Sequence, residues 1–126
     1  MTEQAKFSSD TYVPDKLIAT NPNLLLSNGI TVLSGQNLVR GTLLGKITAS
    51  GKFVKSLSAS ADGSQTPAAI LADDCDASAA DKAAIAFFRG DFQDAGVTFG
   101  TGHTAASTQV GLRDIGIYIV STQGGV

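Results

Sequence analysis

The sequence predicts a β-rich α+β domain: a small single domain of short strands and hairpins with one C-terminal helix, preceded by an extended N-terminal arm. Three observations lead there. The apolar runs are short and are bounded by turn dipeptides such as Asn28-Gly29, Ser50-Gly51 and Asp62-Gly63. The longest run, residues 83–92, loses its apolar character at Gly90, which fits a buried strand better than a helix. Only residues 105–114 carry a convincing helical pattern, closed by Gly116.

Taken in order, residues 30–34 follow the Asn28-Gly29 turn as a short strand, and Gly35-Gln36-Asn37 turns the chain again. Residues 38–39 and 42–48 carry strand residues around Arg40-Gly41. With the return strand at 52–57 they form a hairpin across Ser50-Gly51. A loop at 58–66 ends at Pro67, and residues 68–72 read as a buried strand. Residues 73–82 are a polar connector with room for a helical turn, and the strand at 83–92 follows, with residues 83–88 expected in the core. Residues 95–99 offer one more short strand. In the helix, Ala106, Val110, Leu112 and Asp114 fall on one expected face, and residues 117–120 form a final core strand.

Residues 1–27 differ from the rest. They are polar, with Phe7, Tyr12, Val13, Leu17 and Ile18 scattered among them, and Pro14 and Pro22 forbid a continuous helix or an internal strand. This is read as an arm, residues 1–27, ahead of a β-rich domain, residues 28–126. An arm with scattered apolar side chains suits one that orders against a partner, although an ordinary frayed terminus reads the same way.

Composition narrows the function. The chain has 126 residues, 43% of them apolar and only 16% charged, against roughly 25% charged in ordinary soluble domains. Such a surface is built from small polar residues and is either exposed or covered by neighbouring subunits. Net charge is −2, and no basic stripe is present to replace the counterions of a nucleic acid or to seek an anionic membrane. No partner of either kind is expected. The single cysteine, Cys75, excludes an intrachain disulfide, and the N-terminus lacks the apolar core of a signal peptide, so synthesis in a cytoplasm is expected.

Motifs that would carry chemistry fail on spacing. Residues 41–47, Gly-x-x-x-Gly-Lys-Ile, lack the length and the Ser or Thr of a phosphate-binding loop. Gly100-x-Gly102-x-x-Ala105 precedes a helix, but too little chain follows for a dinucleotide-binding unit. Asp73, Asp74 and Asp76 do not have the spacing of a calcium loop. His103 and Cys75 are the only residues of their types; a small buried thiol and a loop-to-helix histidine are the expected roles. Arg89-Gly90-Asp91 matches a cell-adhesion tripeptide, but it sits beside an apolar strand where Gly90 suits a bulge or turn. No enzyme, cofactor or metal is expected.

Several segments together carry a resemblance. After the polar arm with Phe7 come residues 40–48, RGTLLGKIT, and 63–72, GSQTPAAILA. The acidic 73–76 connector, the 83–92 strand and the terminal GIYIV at 116–120 follow in order. The chain resembles the head decoration protein family of tailed bacteriophages. That resemblance implies a non-catalytic capsid decoration protein on the outer surface of the virion. It implies a homotrimer at three-fold and quasi-three-fold positions of the expanded head, bound to the major capsid protein and reinforcing it against packaged DNA. It also implies an N-terminal arm that orders on the capsid, for which Phe7, Tyr12, Val13 and Pro14 are the candidate contacts. The alternative is another trimeric virion module, a tail or fibre domain.

Overall fold

The computed structural model describes residues 17–18 and 25–121. Among the described residues eight strands are formed: β1 (Leu26–Val32), β2 (Gln36–Leu38), β3 (Leu43–Lys46), β4 (Phe53–Lys55), β5 (Pro67–Leu71), β6 (Cys75–Ala77), β7 (Lys82–Gln93) and β8 (Ile117–Val120). The α-helix α1 (Ala105–Asp114) lies between β7 and β8. The strand order β1-β4-β3-β5-β7 is closed by a β1–β7 pairing, giving a five-stranded barrel to which β8 is added beside β7. A separate two-stranded sheet pairs β2 with β6. The expected β-rich fold with a C-terminal helix is the observed one.

β7 organises the barrel. Its first part pairs antiparallel with β1, and its end, Gly90 to Gln93, pairs parallel with β8. The change of partner falls at Gly90, whose φ of 146° is a conformation that side chains disfavour. A Cβ there would also meet Leu25 and the Phe92 ring. With β5 also paired to its middle, this single strand serves three neighbours, β1, β5 and β8.

Adjacent residues on a strand point to opposite faces, and on β3 and β5 both faces are buried. Leu44, Ala69 and Leu71 join Ile30, Val32, Phe53 and Ala86 in a core drawn from all five barrel strands, which is the barrel interior. Leu43 and Ile70 belong to a second core with Leu112, Ile117, Ile119 and Phe92, where α1 and β8 cover the outer wall. Continuous apolar runs rather than alternation follow from this double burial.

Several expectations need correction. Asn28-Gly29 makes no turn; both residues lie inside β1, opposite Ala86 and Ile85, so the strand starts earlier than expected. The long β7 edge supplies a pairing that overrides the local turn preference. Gln36 and Asn37 likewise belong to β2, and the turn is left to Ser34 and Gly35, the latter at φ 94°. The 73–82 connector holds no helical turn but contains β6, held by β2. Residues 94–96 form a 3-10 turn where a strand was expected, and only Thr98 makes a bridge, to Thr42. The helix buries Thr108 and Leu112, while Val110 is 66% exposed. Within residues 83–88 only Ala86 is fully buried, and Ile85 is 46% exposed, because β7 shows one face to solvent there.

Candidate functional site

The candidate arm contacts Phe7, Tyr12, Val13 and Pro14 lie outside the described residues. Leu17 and Ile18, which follow them in the sequence, are described. Leu17 is 1% exposed and packs into the outer core with Phe92, Val97 and Leu43. Its carbonyl accepts the backbone N–H of Gln93 at 2.7 Å, and Ile18 makes an antiparallel bridge with Phe92. The Gln93 side-chain amide also reaches the Ile18 carbonyl at 3.4 Å. Composition alone does not separate Leu17 and Ile18 from the other scattered apolar residues of the arm; the available signal is an aliphatic pair following the polar Asp15-Lys16.

A bond network fixes the entry to α1. Thr104 caps the helix, accepting from the Ser107 N–H while the Ser107 hydroxyl accepts from the Thr104 N–H. Beside it, His103 Nε2 stands 3.1 Å from the Ser56 hydroxyl and 3.1 Å from the Gln65 carbonyl. Ser56 is fully buried and donates its proton to the Ser64 carbonyl at 2.7 Å. The carbonyl can only accept and the Ser56 proton is already used, so Nε2 carries the imidazole hydrogen. The network joins the end of β4, the 58–66 loop and the start of α1.

Four aspartates make structural ties. Asp81 accepts from Lys52 Nζ at 2.6 Å and from the Ser34 N–H at 2.8 Å, tying three loops at one end of the barrel. The Lys52 ammonium and then the Ser34 N–H hold its carboxyl below the ordinary value of 3.8. Asp62 and Asp76 are held low in the same way, first by the hydroxyls and then by the N–H groups of Ser64 and Ser78. Asp74 accepts the Arg40 N–H at 2.8 Å, and the Arg40 Nε donates to the Ala72 carbonyl at 3.0 Å. Thus the 73–76 turn is clamped to the barrel.

These groups do not converge on a reaction centre. Cys75 is buried in the barrel core, and no hydrogen bond joins it to His103. No cluster of three His, Cys, Asp or Glu suited to a metal occurs among the described residues. Arg89-Gly90-Asp91 lies within β7, where Gly90 serves the change of strand partner. No described helix is long and apolar enough to cross a membrane. An open apolar cleft of about 1040 Å³ lies beside Ile30, Phe53, Pro67, Ile85 and Phe88.

Comparison with known proteins identifies the family. No curated protein matches the chain. The family model described as bacteriophage lambda head decoration protein D matches residues 7–117, which include the arm from Phe7 onward, the barrel, α1 and the start of β8. With nearly the whole chain covered, it belongs to the bacteriophage lambda head decoration protein D family: a structural, non-enzymatic protein that decorates the capsid surface of the virion.

Proposed function

We propose that this chain reinforces the expanded phage head as a homotrimer seated at the three-fold and quasi-three-fold positions of the outer surface. Residues 1–27 serve as the capsid-binding arm, residues 28–126 as the decoration domain, and the major capsid protein is the partner. Phe7, Tyr12, Val13 and Pro14 are the arm residues proposed to contact it. The observation that carries this reading is that the family match begins at Phe7, within the arm.

Physical considerations support it. A donated strand gains affinity from backbone hydrogen bonds and needs few special side chains, which suits a polar arm with four scattered contacts. Closure around a three-fold axis makes each contact heterologous and finite. Many weak contacts on one lattice add through avidity. The doubly buried walls of β3 and β5 give a stiff body through which neighbouring capsid subunits are bridged.

The test is electron cryo-microscopy of expanded, undecorated capsids incubated with the chain. Three-fold-symmetric density over the three-fold and quasi-three-fold positions, with an added strand on the capsid protein, is the expected result. Density elsewhere, or single copies bound without symmetry, would overturn the proposal.

A further inference from the structure

We infer that Leu17 and Ile18 form a clasp that delivers a pull on the arm to β7 at Gln93, sparing β1. The inference rests on the capsid-binding arm proposed above and adds the point at which load enters the domain.

Two attachments of different kind coincide there. The Leu17 side chain is buried in the outer core, so withdrawing it exposes its whole apolar surface to water. The backbone is tied as well, through the Leu17 carbonyl to the Gln93 N–H and through the Ile18 bridge to Phe92. Phe92 and Gln93 are themselves in register with Ile119 and Val120 of β8. At this level β7 is therefore held by β8 as well as by the root of the arm, and it runs on into the barrel wall.

The alternative load path is weaker. Without the clasp, a pull on the arm arrives at Leu25 and then at Leu26, the first residue of β1. Leu26 pairs with Arg89, and the β1–β7 register shifts immediately after it, between Leu26 and Ser27. Tension at that end peels β1 from β7 one pair at a time, and β1–β7 is the pairing that closes the barrel. The clasp keeps load off that seam. Leu17, buried within the domain, is thus a positioning residue that acts through β7.

The experiment compares the full chain with Leu17→Ala and Leu17→Met by amide hydrogen exchange, and then by thermal release from decorated expanded capsids. In Leu17→Ala, the Gln93 amide is expected to exchange about tenfold or more faster, a larger factor than for the amides of β3 and β5. The variant should saturate capsids to the same level but leave them at a lower temperature, and Leu17→Met should restore both properties. An unchanged Gln93 exchange rate would overturn the clasp. So would faster exchange with an unaltered release temperature. A deletion of residues 2–15 is run in parallel and should lose binding; if it binds normally, the arm reading falls on its own evidence and the load path falls with it.

Discussion

Gly41 and Gly96 meet backbone to backbone: a Cβ on Gly41 would overlap the Gly96 carbonyl oxygen, while the Leu17 side chain would lie in ordinary contact with it. Gly41 also sits at φ 94°. Its N–H donates to the Leu71 carbonyl and its own carbonyl accepts from Thr98, so it cannot easily shift. Gly41→Ala combines left-handed strain of about 1–2 kcal/mol with overpacking of about 1–3 kcal/mol. Gly29 is the contrast, because a Cβ there meets nothing within 4 Å and its φ is ordinary. Gly29→Ala should be neutral or stabilise by up to about 1 kcal/mol. Urea unfolding of both variants checks the pair.

The helix face is tested by Leu112 and Val110. Leu112 is buried against Ile117 and Phe92, so Leu112→Ala should cost about 2–5 kcal/mol. Val110 is exposed, and Val110→Ala should stay within about 0.5 kcal/mol of the parent. Equal losses in thermal melts would contradict this orientation of α1.

Acid stability should depend on Asp81. Its folded carboxyl titrates below the ordinary value of 3.8 because Lys52 and the Ser34 N–H favour the charged form. The resulting stabilisation is fully present above the unfolded value and is lost as pH falls through the lower folded value. Asp62 and Asp76 add effects of the same sign. The urea midpoint of the parent should therefore fall as pH drops below about 4, and Asp81→Asn should fall less steeply over the same window. An identical slope in the variant would show that the tie at the end of the barrel does not form.

Ser56 and His103 form a coupled pair. Ser56→Ala removes the donor to the Ser64 carbonyl and leaves the His103 N–H with the Gln65 carbonyl alone, at a cost of about 1–3 kcal/mol. The double-mutant cycle with His103→Ala should show a non-additive coupling. Long-range nitrogen-15 correlation spectra should report the Nε2–H tautomer; the Nδ1–H form would contradict the hydrogen-bond pattern.

What could be read from the sequence follows from how local each signal is. The α1 bounds were legible because Thr104 and Gly116 mark them within the segment itself. The β3–β4 hairpin was legible through Ser50-Gly51, with Gly51 at φ 76°. β6 was not legible, because Cys75-Asp76-Ala77 becomes a strand only against the distant Gln36–Leu38. Asn28-Gly29 misled for the same reason: a strong local turn preference gave way to pairing with β7. In the arm, Leu17 looked like its scattered neighbours, since only the fold reveals the core space it fills.

Capsid attachment through the arm is tested most directly by co-sedimentation with expanded, undecorated capsids. The full chain is compared with a deletion of residues 2–15 that retains Leu17. The full chain should saturate near one copy per capsid protein, while the deletion should fold, melt like the parent and remain in the supernatant. Equal binding by the two chains would contradict an arm-mediated attachment.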